Sequence, residues 1–263
     1  MVGRQDGGVV LHHGAERMDL AGEHGAMAYC SAAVGSGGFA TGGFDGRIVV
    51  RDWRGEIRKE LAYPDGPFIF SLAAAPDGSR VLVAGGDAWS VMDPRSGDVL
   101  QRATQLGCGT HSHANWSPDA RIVGCGGEGD LVRTWMSDGT PLGEYRTAYG
   151  QASDVSVLGD GTLLLATAAG AVVRLGHDGE ERELHARHED WIRCIDVSPD
   201  GRYAVSASQN CVVVLYDLLA GTCVDLPVLR QPLTAARFDA GGDLLLVDTL
   251  GGVTVEVGGA RGA

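Results

Sequence analysis

The segment Thr110-His-Ser-His-Ala-Asn-Trp places two histidines, His111 and His113, two residues apart. On a β-strand this spacing puts both side chains on the same face. Together with the carboxylate of Asp154, they could provide acid–base chemistry, in which Asp154 orients His113 and raises its pKa towards neutrality. A metal site formed by His111, His113 and Asp154 is a weaker alternative, because no further ligand is evident. A purely structural hydrogen bond between His113 and Asp154 is the third interpretation, and all three stay open.

Aromatic and polar residues near these positions form a second candidate group. Aromatic rings beside a few polar groups are typical of a small-molecule pocket, and equally of a hot-spot surface for a protein partner. For one of them, Trp191, simple packing at the edge of a structural unit is a further interpretation. The predicted substrate-binding residues are Tyr29, Phe68, Phe70, Gln151, Trp191 and Arg193.

Familiar catalytic and cofactor motifs are absent from the sequence. There is no G-x-S-x-G, no P-loop, no H-E-x-x-H and no dinucleotide fingerprint after a strand. We therefore expect no cofactor, and any chemistry would depend on side chains that the fold brings together.

The elements that must position these residues follow an internal repeat. Its mark is a Pro-Asp-Gly type of turn before an apolar strand, as at Pro199-Asp200-Gly201. The last residues of the six turns stand at positions 37, 78, 120, 161, 201 and 242. Four short strands with hairpin spacing fit into each unit, best seen over residues 191–227. A unit of about 40 residues with four strands has the size of one β-propeller blade.

Alignment of the units on their turns explains why the histidines stand out. The first strand of each unit is expected to line a central channel, where its fourth residue is small because the strands converge. Two of the six occupants, His113 and Asp154, break this rule, and residues that break a local rule are functional more often than average. The six occupants are Cys30, Ser71, His113, Asp154, Cys194 and Ala235.

Several short segments resemble the WD40 repeat family. Ser198-Pro-Asp-Gly-Arg matches its first hairpin, and Leu215-Tyr-Asp and Arg51-Asp-Trp match the end of its third strand. Arg187-His188 and Glu23-His24 stand where the family has Gly-His. The resemblance implies a structural hydrogen-bond network around these histidines in the first and fifth units. It also implies that the chain acts as a protein-interaction scaffold.

The predicted fold is all-β, a six-bladed β-propeller of four-stranded antiparallel blades. The ring is expected to close by pairing N-terminal strands with the C-terminal blade, which removes open sheet edges. Residues 9–13 and 251–257 both look like the third strand of that last blade. The whole chain, 1–263, is predicted to be one domain with blades at approximately 26–62, 67–104, 110–147, 151–186, 191–227 and 232–257 plus 8–22.

Charge and composition limit the partners. The formal net charge is −13 and the sequence pI about 4.9, which argues against nucleic acid or an anionic membrane as a partner. No apolar run is long enough to span a membrane, and the N-terminus has no secretory signal. Since the six cysteines include no C-x-x-C pair, we expect free thiols in a reducing cytoplasm.

Two functions compete on these observations. The favoured hypothesis is a small-molecule binder, leaning towards an acid–base enzyme that acts on an aromatic or amine-bearing metabolite by a ring-forming condensation or a lyase reaction. The alternative is a non-catalytic WD40-type interaction scaffold, for which the partner is another protein. The fold does not decide between them, because propellers serve both purposes.

Overall fold

The protein consists of short antiparallel β-strands in a computed structural model. The structure describes residues 2–3, 6, 8–13, 16–20, 24–185, 188–226, 233–238 and 244–248. Among these residues there is no α-helix, and the only helical turn is the 3-10 turn Gly35–Gly37.

Five four-stranded sheets follow one another along the chain, and each is a simple meander in which consecutive strands pair. Sheet 1 contains Ala28–Val34 (β4), Gly38–Gly43 (β5), Arg47–Asp52 (β6) and Ile57–Ala62 (β7). Sheet 2 contains Ser71–Ala74 (β8), Val81–Gly85 (β9), Ala88–Met92 (β10) and Val99–Thr104 (β11). Sheet 3 contains His113–Trp116 (β12), Ile122–Gly126 (β13), Leu131–Met136 (β14) and Pro141–Arg146 (β15).

Sheets 4 and 5 repeat this plan. Sheet 4 contains Ala152–Val157 (β16), Leu163–Thr167 (β17), Val172–Leu175 (β18) and Glu181–His185 (β19). Sheet 5 contains Ile192–Val197 (β20), Tyr203–Ser208 (β21), Val213–Asp217 (β22) and Thr222–Asp225 (β23). The first strands of successive sheets lie side by side. The predicted all-β propeller architecture is confirmed in these terms.

The ends of the chain form two smaller sheets. Val2–Gly3 (β1), Val9–His13 (β2) and Glu16–Leu20 (β3) pair with one another, while Leu233–Phe238 (β24) pairs with Leu244–Asp248 (β25). Strand β2 therefore lies between β1 and β3, and β1 lies beside β4. Residues 251–257 are outside the described residues. The count of six blades, their closure and the single-domain assignment stay predictions.

The turn between the first and second strands explains the sequence repeat. In four of the sheets its aspartate accepts the backbone N–H of the residue two positions later, at 2.9–3.1 Å, as is usual for aspartate in tight turns. The residue after the aspartate has a positive φ, which favours glycine. In sheet 3 that residue is Ala120, which adopts φ 56° all the same.

The core lies in layers between neighbouring sheets. Strands β9 and β17 are buried along their whole length, because both of their faces are covered. The outer strands β7 and β11 are largely exposed. In the layer between sheets 2 and 3, the fully buried ring of Trp89 meets Trp135 edge-on at 5.7 Å. Stability therefore depends on contacts between sheets as well as on the pairing within them.

All six cysteines are free thiols. Within the described ranges, no helix is of a length and apolar character that would let it cross a membrane.

Replacement of Trp89 by alanine tests this layered core. Because the ring is wholly buried, Trp89→Ala should lower the free energy of unfolding by about 3–5 kcal/mol, measured by urea denaturation. Leu219→Ala is the control, since Leu219 is 83 % exposed and should change the free energy by no more than about 0.5 kcal/mol. Equal effects of the two substitutions would contradict the assignment of this layer as core.

Candidate functional site

The first strands of the sheets position the candidate residues. Strands β4 and β20 each contain a bulge, which leaves Tyr29 and Arg193 as the extra residue. A bulge turns the side chain of the extra residue away from the regular pattern. Both Tyr29 and Arg193 are exposed, whereas Ser153, the extra residue of the equivalent bulge in β16, is buried.

Asp154, on the first strand of sheet 4, is tied into the scaffold by three hydrogen bonds. Its Oδ1 accepts the N–H of Val155 at 2.9 Å, and its Oδ2 accepts the N–H of Ile195, in sheet 5, at 3.1 Å. The same Oδ2 accepts Nη2 of Arg237, from β24, at 3.2 Å. The side chain of Asp154 is only 7 % exposed. Its carboxylate therefore joins three successive sheets.

Arg237 and its neighbours extend this set of contacts between β20 and β24. Its Nη1 donates to the carbonyl oxygen of Ile195 at 2.9 Å. The backbone N–H of Phe238 donates to Asp196 Oδ2 at 2.7 Å, and that of Ala236 donates to the sulfur of Cys194 at 3.2 Å.

Asp196 is a carboxylic acid with a perturbed pKa. Burial raises the pKa of Asp196 to about 6, against the opposing effects of Arg237 and of the Phe238 N–H. Folding therefore makes this carboxyl group easier to protonate than it is in the unfolded chain.

His113 begins β12 and is half-buried, with its ring 6.4 Å from that of Phe70. Burial lowers the pKa of His113, and the charge of Asp154, which acts in the opposite direction, does not outweigh it. Arg237 and His111 lower the pKa further. The prediction that Asp154 raises this pKa towards neutrality is wrong in its net direction, because removal of the ring from water dominates.

His111 lies before β12 and is exposed. Its Nδ1 forms an ion pair with Glu128, whose Oε2 also accepts the N–H and hydroxyl of Thr110 at 3.2 Å. The ring of His111 lies 4.4 Å from that of Phe70. In the part of the chain that the structure describes, no three His, Cys, Asp or Glu side chains could hold a metal ion. The weaker metal alternative, with His111, His113 and Asp154 as ligands, is therefore not supported.

Four aromatic rings gather beside the histidines and form what we call the aromatic cluster, made of Tyr29, Phe44, Phe68 and Phe70. Tyr29 stacks on Phe44 with centroids 4.9 Å apart, and Phe70 is 5.0 Å from Phe44 and 5.5 Å from Tyr29. Phe68 meets Phe44 edge-on at 5.7 Å. Phe70 is buried, while Tyr29 is 36 % and Phe68 46 % exposed.

The remaining predicted binding residues are more dispersed. Arg193 lies close enough to Tyr29 for its charge to oppose the rise that burial causes in the pKa of the tyrosine. Trp191 is 41 % exposed and makes no ring contact with the aromatic cluster among the described residues. Gln151 is half-buried, and its carbonyl oxygen accepts the N–H of Ala168 at 3.0 Å. Their role in binding stays a prediction.

Three residues of this region do not stand out from the sequence predictions. Asp196 and Arg237 stand two positions after the aligned channel residues, where the first two units have Ala32 and Ala73. The same alignment, read two residues further, would have marked both. Phe44 lies in the turn between β5 and β6, and no position in the repeat pointed to it.

The histidine network implied by the family resemblance is present in sheet 1. His24 Nδ1 bonds with Asp45 Oδ1 at 3.0 Å, and its Nε2 with Thr41 Oγ1 at 3.0 Å. In sheet 5, His188 Nε2 forms a hydrogen bond of 2.6 Å with the hydroxyl of Ser206. The same Ser206 hydroxyl forms a hydrogen bond of 3.1 Å with the hydroxyl of Tyr216. Both histidines are buried, so these contacts hold the loop before the first strand against the sheet.

Comparison with known proteins agrees with this architecture. The family model described as WD domain, G-beta repeat, matches residues 181–217. The chain is 24 % identical over 223 residues to Protein hir1 of Aspergillus terreus, an alignment that covers 72 % of this chain and 22 % of the relative. It is 33 % identical over 64 residues to ribosome biogenesis protein bop1-A of Xenopus laevis, covering 24 % and 9 %. It is 28 % identical over 132 residues to U3 small nucleolar RNA-associated protein 21 of Saccharomyces cerevisiae, covering 48 % and 13 %.

These findings change the functional conclusion. The alignments span less than a quarter of the length of each relative. Two of the relatives are named for ribosome biogenesis and for association with a small nucleolar RNA, and the matching family model is a WD repeat. The prediction of a small-molecule binder or acid–base enzyme is therefore wrong, and the comparisons favour its alternative, the interaction scaffold. The hydrogen bonds of Asp154 to Ile195 and Arg237 agree with this correction.

The protonation of His113 can be measured directly. We expect its ring to titrate with a midpoint below 6.5, followed by the C2-proton shift in NMR spectra and assigned with His113→Asn. Asp154→Asn should lower the midpoint further, because it removes the negative charge that favours the protonated ring. A midpoint above 6.5 in the wild type would contradict the dominance of burial.

The pKa of Asp196 predicts an unusual pH dependence of stability. Between pH 4 and 6 the folded protein binds the Asp196 proton more tightly than the unfolded chain does, so this group's contribution is lost as the pH rises through about 6. Relative to Asp196→Asn, the wild type should lose roughly 1–3 kcal/mol between pH 4 and pH 7. Denaturant titrations at several pH values measure both proteins, and parallel profiles would refute the assignment.

Proposed function

The chain contains a WD40 repeat, as its resemblance to that family predicted, and on this premise we propose that it is a non-catalytic scaffold that binds a protein partner. The binding surface in this proposal is the aromatic cluster, with Arg193 and the His111–Glu128 ion pair beside it. The single observation that supports it best is the partial exposure of adjacent aromatic rings.

The aromatic cluster has the composition of an interface hot spot. Tyrosine and arginine are enriched at such positions, where a few rings carry most of the binding free energy. Phe70 is buried and contacts Tyr29 and Phe44, so the exposed rings of Tyr29 and Phe68 are held in place before a partner arrives. A preordered surface loses less conformational entropy on binding than a mobile one.

Position also supports this proposal. The start of the first strand and the turn between the second and third strands lie at the same end of a meander sheet, and the cluster takes its residues from these segments of sheets 1 and 2. A partner at this end could contact several sheets at once. The predicted cytoplasmic location and the expected absence of nucleic-acid and membrane partners remain part of the proposal.

Loss of one exposed ring tests the proposal. Phe68→Ala should reduce the amount of specific partners recovered by affinity capture, as quantified by mass spectrometry. If Phe68 is a hot spot that contributes about 1.4 kcal/mol or more, the affinity should fall by about tenfold or more. Its melting temperature should stay close to that of the wild type, because Phe68 is 46 % exposed.

Leu142→Ala is the matched control, since Leu142 is 50 % exposed and lies on the outer strand β15. It should retain every partner that the wild type captures. If Phe68→Ala and Leu142→Ala capture the same proteins in the same amounts as the wild type, the aromatic cluster is not the binding surface.

A further inference from the structure

A cavity of about 370 Å³ lies between sheets 1 and 2, and every charged side chain that lines it among the described residues is positive. Its charged residues are Arg51, Arg58, Lys59 and Arg95, where Lys59 is the single lysine of the chain. The other described residues of the lining are apolar residues or glycine, and none of them is acidic. In a protein with a net charge of −13, such a concentration of cations is a local exception.

Topology puts this cavity at the opposite end of the sheets from the aromatic cluster. Its residues come from the turn between β4 and β5, the turn between β8 and β9, the turn between β10 and β11, and the neighbouring parts of β6 and β7. In an antiparallel meander, the first and third turns lie at one end and the second turn lies at the other. A ligand in the cavity would therefore leave the aromatic cluster accessible.

The four cations are not equivalent. Arg58 forms an ion pair with Asp52 and lies 3.5 Å from Glu56, so acids of its own sheet neutralise it. Arg51 is buried and donates from Nη1 to the carbonyl oxygen of Gly55 at 2.8 Å. Lys59 and Arg95 are exposed, and neither forms an ion pair within the described ranges. Two positive charges at the cavity are thus available to a ligand.

Glycines form the wall between these cations. A Cβ on Gly78 would lie 2.2 Å from the Cα of Gly35, and one on Gly38 would lie 1.8 Å from the carbonyl oxygen of Arg51. A side chain is therefore excluded at Gly78, where the backbones of the two sheets approach closely. A side chain is also excluded at Gly38, where the backbones of β5 and β6 do so. At Gly37, by contrast, a Cβ would meet nothing within 4 Å, so the backbone there borders open space.

We propose that this cavity binds a phosphate monoester. A phosphate monoester carries a charge of about −1.5 to −2 at neutral pH, which matches the two unneutralised charges of Lys59 and Arg95. Arginine binds phosphate oxygens through paired N–H groups and lysine binds them as a point charge. The group could belong to a phosphorylated side chain of a protein or to a free phosphorylated metabolite, and the chemistry of recognition is the same.

Titration calorimetry at low salt tests this site with three probes: inorganic phosphate, a short peptide that contains phosphoserine, and the same peptide with serine. The wild type should bind both phosphate-bearing probes and not the serine peptide. Tighter binding of the phosphopeptide would assign the group to a protein partner, and equal affinities would assign it to a free small molecule. If neither phosphate-bearing probe produces a heat of binding, the proposal is wrong.

Charge-neutral variants locate the binding. Lys59→Gln and Arg95→Gln should each weaken phosphate binding by about tenfold, because each removes a positive charge that would donate a charge-assisted hydrogen bond to the phosphate. Arg182→Gln removes an equally exposed charge on β19, away from the cavity, and should bind like the wild type. Equal weakening in all three variants would show attraction to overall charge and would refute a site at the cavity.

Phe68→Ala should retain full phosphate binding, so that failure of this proposal and failure of the scaffold function are separable.

Discussion

The buried carboxylate of Asp154 ties three successive sheets together, because its oxygens accept hydrogen bonds from Val155, Ile195 and Arg237. Backbone pairing holds the strands of each sheet together, while side-chain contacts join one sheet to the next in addition to backbone hydrogen bonds such as that from Ile69 N–H to the carbonyl oxygen of Gly43. A carboxylate that is removed from water is stable only when its oxygens are paired. Asp154 meets this condition by accepting the N–H of Ile195 and the guanidinium of Arg237, and so joins sheets 4 and 5 to β24. Smaller groups do the same elsewhere, as Ser71 does by donating to the carbonyl oxygen of Ala114 at 3.1 Å.

This constraint gives a structural role to Asp154, one of the residues that break the repeat. General acid–base catalysis needs a group whose pKa lies near the working pH and a partner free to exchange a proton with it. Here the candidate partner, Asp154, accepts hydrogen bonds from two other strands, and burial lowers the pKa of His113. A polar residue that breaks the repeat can therefore mark a structural junction between sheets. In the sequence alone, the same residue also suggests catalytic chemistry.

The meander topology gives the protein two separate surfaces. Exposed aromatic rings lie at the end where the first strands start, and the cationic cavity lies at the other end, between sheets 1 and 2. One surface is suited to burial of apolar area and the other to a compact anion. Because the sheets between them are buried and closely packed, the two surfaces occupy separate ends of the same set of sheets.

The sequence by itself determined the repeat, the four strands of each unit, and the aspartates that stabilise the turns, because these features depend on contacts within a unit. It also predicted that Tyr29, Phe68 and Phe70 lie near His111 and His113, since the repeat aligns the starts of the first strands. Only the tertiary structure decided that Asp154 binds Arg237, that Phe44 joins the aromatic cluster, and that Lys59 and Arg95 border one cavity. A repeat in a sequence reports the surroundings that each unit shares with the others. Contacts between units depend on how far and in which direction individual side chains extend, and these are properties of the folded protein.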